Sequence, residues 1–236
     1  MRLALLPLLL CLLPGAASAA NWISDRPQPG GMALNGAAVV YDPNDAAVVA
    51  IAARDLAADI GRVTGHAAPV NTGGARQIWI GVAGHSAAID ALGAKLDLSK
   101  LNACWECYVI AVVDHPKPGV DQALVIAGSD RRGAAYGAYE ASRAIGVSPW
   151  VWWADVAPKH REALYVAAGA RRFGPPSVQY RGLFINDEDW GLEPWAAKTF
   201  DPAYGNIGPK TYERVFDLML RLRANTLWPA MHEVSR

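Results

Sequence analysis

Hydrophobic positions along the chain switch between two periods. Val48, Ala52, Leu56, Ile60 and Val63 recur at helical spacing and stop at Gly65. That predicts a helix, preceded by a short apolar strand over 37–41. Asp42-Pro43-Asn44-Asp45 between them supplies capping residues. Apolar runs over 77–82 (QIWIGV), 107–113 and 123–127 (ALVIA) predict three further strands. Gly128-Ser129-Asp130 interrupts the pattern, a helical stretch runs to about residue 145, and Gly146-Val147-Ser148-Pro149 breaks it. A last strand is expected over 164–168. Strands alternating with helices imply an α/β layer built on a sheet.

Gly174-Pro175-Pro176 marks a boundary, because two prolines cannot sit in a central strand and they stiffen a linker. The pattern then restarts. A strand is expected over 179–185, followed by a long loop to Gly208. Pro209 fits a first helical turn, and Tyr212, Val215, Phe216, Met219 and Leu220 follow at helical spacing. Asn225 can end that helix, and Thr226-Leu227-Trp228 reads as a second strand. One βαβ unit results. Such a unit cannot bury both faces of its sheet alone, so further units are expected beyond Arg236.

The N-terminus has a different character. Met1-Arg2, an apolar run over 3–13, Pro14-Gly15 and small residues over 16–20 have the form of a secretory signal peptide, cleaved near Ala19 or Ala20. The run is too short to span a bilayer comfortably. The expectation is a secreted or periplasmic protein with no membrane association once the signal is removed. Lys+Arg and Asp+Glu both number 22, so no net basic field favours nucleic acid.

Three motifs offer chemistry. Cys104 and Cys107 form CWEC. A thioredoxin-like pair would open a helix, whereas this one leads into a strand. A zinc site would need two more ligands, and no second CxxC exists. Structural thiols or a disulfide formed after export are favoured, with the pairing left open. GSDRRG, 128–133, has the outer glycines of a phosphate loop, but no Lys-Ser/Thr follows Gly133. It reads as a strand-to-helix turn with Ser129 or Asp130 as N-cap. Arg131 and Arg132 there are either solvated or able to hold a carboxylate in bidentate fashion. In FINDEDW, 184–190, an apolar run stops at Asn186-Asp187-Glu188-Asp189, with Trp190 beside them. A hydrated turn is one reading. A catalytic strand end is the other, because (β/α)8 barrels gather their acids at the C-terminal ends of strands.

GSDRRGAAYGAYEASRAIGVSPWVWWADV, YRGLFINDEDW and LRANTLWPAMHEVSR, in that order, resemble the N-terminal part of glycoside hydrolase family 115, the xylan α-1,2-glucuronidases. The resemblance implies residues 21–173 as an N-terminal α/β sheet domain after a signal peptide at 1–20. Residues 174–236 would then be the first βαβ unit of a truncated (β/α)8 barrel. It implies removal of glucuronic acid or its 4-O-methyl form from xylan, with inversion and with neither metal nor cofactor. Asp187 and Glu188 are the catalytic candidates. Asn186, Trp228, His232 and Arg131 are substrate-binding candidates, with Met231 beside His232. Partners would be glucuronoxylan or oligosaccharides derived from it, with a homodimer of the longer parent left open. Members of the family are several times longer, so this chain reads as an incomplete and inactive fragment. The CWEC cysteines depart from the family pattern. A non-catalytic carbohydrate-binding or structural module is the rival reading, and a redox protein is a third.

Overall fold

A computed structural model describes residues 22–186 and 190–231. In chain order the strands are β1 (Ile23–Ser24), β2 (Met32–Ala33), β3 (Ala38–Tyr41), β4 (Arg76–Val82), β5 (Tyr108–Lys117), β6 (Val120–Gly128), β7 (Tyr165–Val166), β8 (Ala170–Phe173), β9 (Gly182–Phe184) and β10 (Thr226–Trp228). The helices are α1 (Ala47–Thr64), α2 (Ala87–Asp90), α3 (Gly93–Leu96), α4 (Arg131–Ile145), α5 (Leu192–Trp195) and α6 (Pro209–Arg221). The fold is mixed α/β, as the periodicity implies.

The main sheet runs β3-β4-β6-β5-β8. β3, β4 and β6 are parallel, while β5 and β8 are antiparallel to their neighbours. Pro118-Gly119 joins β5 to β6, with Gly119 in the left-handed region at φ 79°. Alternation sorts the strands into two faces. Ile78, Ile80, Ile110, Leu124 and Ile126 pack under α1 and α4. Trp79, Val109, Val113, Val125 and Ala127 pack under Ile89, Leu92 and Leu96 of α2, α3 and the loop between them, and under Leu98 and Leu101 of the 3₁₀ turn that follows. The sheet is therefore covered on both sides.

Two differences from the sequence reading have local causes. The strand expected over 164–168 shortens to β7, and the chain turns at Gly169, whose φ is 94°, into β8, a strand the periodicity did not predict. β7 joins β1 and β2 in a small sheet, while β8 closes the edge of the main one. The strand expected over 179–185 narrows to β9, although Ile185 N–H still donates to Trp228 C=O at 2.9 Å.

α4 lies on the sheet at very short range. A Cβ at Gly128 would stand 2.0 Å from Ala134 N, and one at Gly133 would stand 2.2 Å from the Cys107 oxygen. Asp130 caps the helix, its carboxylate accepting from the amides of Arg132 at 2.9 Å and Gly133 at 2.8 Å. The glycines of GSDRRG thus serve helix-on-sheet packing.

β9, α6 and β10 form a parallel βαβ unit, with Leu183 beside Leu227 and Phe184 beside Trp228. The unit rests on α1 and α4 through charged contacts. Arg221, 5% exposed at its side chain, reaches the fully buried Asp59 at 2.7 Å and Asp217 at 3.0 Å. Arg223 pairs with the buried Glu140. Nearby, Tyr139 O–H donates to Asp55 at 2.6 Å, and burial pushes the Asp55 carboxyl up.

Candidate functional site

The two faces of the β9–β10 pair differ. Leu183, Ile185 and Leu227 pack against Val215 and Met219 of α6. Phe184 and Trp228 point to the other side, 55% and 57% exposed, with ring centroids 5.2 Å apart. The aromatic pair therefore stands on the face of the strand pair opposite α6, at the C-terminal end of both strands. Trp228 Nε1–H points to Met231 Sδ at 3.2 Å, which fixes the indole edge.

Asn186 is exposed, one residue past the last backbone bond of the pair. The strand thus ends before Asn186. Asp187, Glu188 and His232 lie outside the described residues. Arg131 opens α4 in the sheet unit and is exposed. Among the described residues it makes no hydrogen bond to Asn186 or Trp228.

The loop after the strand end returns to the motif at 148–156. Trp195 of α5 meets Trp152 at 5.8 Å and Trp153 at 5.7 Å, and stacks on Phe200 at 4.8 Å with an interplanar angle of 8°. The Arg214 guanidinium sits 5.0 Å over the Trp152 ring. A cavity of about 600 Å³ opens between Trp152, Trp153, Gly191 and Trp195. Two motifs separated by tens of residues thus share one aromatic wall beside the strand end.

Sequence reasoning missed the residues that hold this unit in place. Glu106 lies between the two cysteines in the left-handed region at φ 54° and is 3% exposed. Its carboxylate pairs with Arg181, immediately before β9, and accepts from Asn225 Nδ2 at 2.9 Å, immediately before β10. Arg132 approaches it at 3.4 Å. Asn225 Oδ1 also accepts from Arg181 N–H at 3.0 Å. One carboxylate therefore fixes the starts of both strands. The available signal was an acid inside CWEC together with polar residues just ahead of two apolar strands. Cys104 and Cys107 are joined as a disulfide, which closes the turn carrying Glu106.

A parallel βαβ unit docked on a mixed α/β sheet occurs in many functional classes, so the fold alone does not name one. Comparison with known proteins is more specific. Residues 173–235 match the model of glycosyl hydrolase family 115. The fold is similar to that of BtGH115A, a family GH115 4-O-methyl-α-glucuronidase with specificity for decorated arabinogalactans. That match has a TM-score of 0.75 and 42% identity, and covers 86% of this chain and 26% of that one. The chain belongs to glycosyl hydrolase family 115, and it spans about a quarter of the length of that enzyme. A second solved structure, CpGH84D, aligns at a TM-score of 0.45 and 11% identity over 88% of this chain and 36% of its own, too weakly to inform function. No curated protein matches the sequence.

Proposed function

We propose that the protein carrying this chain is a secreted or periplasmic glycoside hydrolase that removes glucuronic acid, or its 4-O-methyl form, from polysaccharide side chains. The observation that carries this reading is the family match over 173–235, the segment containing both strand ends. On this reading residues 174–236 begin a (β/α)8 catalytic barrel and residues 21–173 form a separate domain against which it docks.

Family 115 chemistry inverts the anomeric centre. Inversion needs an acid to protonate the leaving oxygen and a base to activate water, their carboxyl groups roughly 6.5–9.5 Å apart. Asp187 and Glu188 supply one side of that pair or orient the water. Asn186 hydrogen-bonds a sugar hydroxyl, Trp228 offers a stacking face, and His232 lies at the second strand end. The remaining acids would come from barrel strands outside this chain.

Glucuronoxylan is the substrate implied by the sequence motifs, and decorated arabinogalactan is the one linked to the similar enzyme. Incubating the full-length protein with each polymer and analysing the products tests both. Release of free (4-O-methyl-)glucuronic acid supports the reading, and the preferred polymer identifies the backbone. Binding of either polymer with no acid released would favour the non-catalytic module, and release of neutral sugars alone would point to another glycosidase class.

A further inference from the structure

A cavity of about 840 Å³ lies away from the β9–β10 strand ends. It opens at the edge of the main sheet where the parallel, adjacent strands β4 and β6 end and β5 begins. Ala83 and Gly84 after β4, Asn102 and Trp105 ahead of β5, and Ser129 after β6 all line it. Open α/β sheets hold ligands in the crevice beyond the carboxyl ends of such strands.

The lining excludes one ligand class. The Asp130 carboxylate occupies the helix-terminal amides of Arg132 and Gly133 and also takes the Glu106 N–H at 2.6 Å. Those donors are therefore not free for a phosphate or a uronate. Among the described residues two aspartates line the cavity, and no lysine or arginine does. An anion would enter against a negative field.

The same lining suits a neutral polyol. Trp105 is 36% exposed at the rim, with the Arg181 guanidinium 5.8 Å over its ring. The Cys104–Cys107 disulfide closes the turn that presents it, so little ordering is left to the moment of binding. Asp90 Oδ1 accepts from Gly84 N–H at 2.7 Å, leaving Oδ2 to accept from a ligand. Ser129 Oγ accepts from Cys107 N–H at 3.0 Å and keeps its own proton to donate. Asn102 is exposed and offers both a donor and an acceptor. An aromatic face with planar polar side chains beside it matches a pyranose, which has an apolar C–H face and a hydroxylated edge.

We propose that this cavity is a second saccharide site, separate from the strand ends, that takes a neutral pyranose unit of a polysaccharide backbone with Trp105 as its stacking face. The site goes beyond the hydrolase reading, and only the choice of polysaccharide backbone rests on it.

Calorimetric titration of the protein with xylotetraose, with β-1,3-galactotetraose and with glucuronic acid tests the site, because it reads binding and not turnover. At least one neutral tetrasaccharide should bind with a Kd of roughly 0.1–1 mM. Trp105→Ala should weaken that binding at least ~10-fold, Asp90→Asn should weaken it less, and Trp105→Phe should restore most of it. Thermal melts of each variant separate lost binding from lost folding. Glucuronic acid should not compete. Three outcomes would overturn the proposal: no binding of either neutral probe at 10-fold higher concentration, unchanged binding in folded Trp105→Ala, or tighter binding of glucuronic acid that depends on Trp105. A failure to release glucuronic acid in the hydrolysis assay leaves this measurement untouched, so the two readings fail separately.

Discussion

The Glu106 carboxylate and the Arg181 guanidinium meet between the main sheet and the start of β9. Glu106 leaves a disulfide-closed turn, and Arg181 also donates to the carbonyls of Arg223, Val178 and Gln179 at 2.8–3.1 Å. The pair therefore ties the sheet, the linker before β9 and the segment before β10 to a single point. β9 and β10 are three residues each and have no other sheet to hold them among the described residues. Their positions depend on this anchor and on the burial of α6.

Glu106→Ala should cost about 3–5 kcal/mol in urea unfolding, because it leaves the Arg181 and Arg132 charges beside an emptied, desolvated position. Arg181 is itself 23% exposed at its side chain, so water can reach it and the lower end of that range is expected. Glu106→Ala combined with Arg181→Met should cost clearly less than the two single changes added. Strict additivity would mean that the pair carries no coupling and that the strand starts are held by their other contacts, the Arg223–Glu140 pair among them.

Gly133→Ala should destabilise by about 3 kcal/mol or more, since the added methyl would overlap a backbone carbonyl that cannot move without shifting β5. Gly137→Ala meets the Ile126 side chain at 2.5 Å and should cost about 1–3 kcal/mol. Gly146→Ala is the contrast. Its Cβ would enter open space, but its φ is 106°, so only backbone strain of about 1–2 kcal/mol is at stake. Thermal or urea denaturation of the three variants should preserve that order. A Gly133→Ala protein as stable as the parent would remove the close-packing account of GSDRRG.

The sequence was informative where physics is local. β3, β4, β5 and β6 of the main sheet and both long helices of that unit stand where periodicity predicts them, because a covered sheet needs apolar runs and amphipathic helices need a 3.6-residue repeat. The edge strand β8, with its two arginines, was not predicted. Asp130 as N-cap was also legible, since capping is set by neighbouring amides. β5 as an antiparallel partner was not, because strand direction depends on a connection that Pro118-Gly119 alone only suggests. Glu106 was hidden for a related reason. Its partners are 26, 75 and 119 residues away, and no spacing rule links an acid to positions that distant. At the candidate site, Phe184 and Trp228 could be placed on strands, but their shared exposed face appears only once β9 and β10 pair in register.

Three tyrosines should make the fold sensitive to alkali. Burial pushes the hydroxyls of Tyr108, Tyr136 and Tyr139 up, Tyr136 to about 12 and the other two further. Each folded value lies above the ordinary 10, so the folded state keeps protons that the unfolded chain releases. Their contribution to stability is fully present below pH 10 and is lost as pH rises through the folded values. Each tyrosine should remove up to about 1.4 kcal/mol per pH unit between its unfolded and folded values. Spectrophotometric titration should show at least three of the eight tyrosines ionising only together with loss of circular dichroism. Full ionisation near pH 10 with the fold intact would contradict the burial of these rings.

The last expectation concerns Asp187. Asn186 lies past the final backbone bond of the β9–β10 pair, and Asp187, which follows it in the sequence, is a catalytic candidate of the family reading. The proposed function gives this carboxylate a part in the chemistry at the sugar. Asp187→Asn keeps the size and the hydrogen-bonding shape but removes the charge and the capacity to take a proton. In the full-length protein it should cut release of glucuronic acid at least ~100-fold, the usual scale for a lost acid/base group. Stability should change by less than about 0.5 kcal/mol, as expected where a nearly isosteric change removes a group used for chemistry and not for packing. Asn186→Ala should act differently: a lost sugar hydrogen bond raises KM more than it lowers kcat where ground state and transition state share it. Release rates and thermal melts on the same preparations decide the matter. A normal rate for Asp187→Asn, or a lost rate accompanied by a lowered melt, would leave FINDED as a solvated turn and move the catalytic acids elsewhere in the full-length protein.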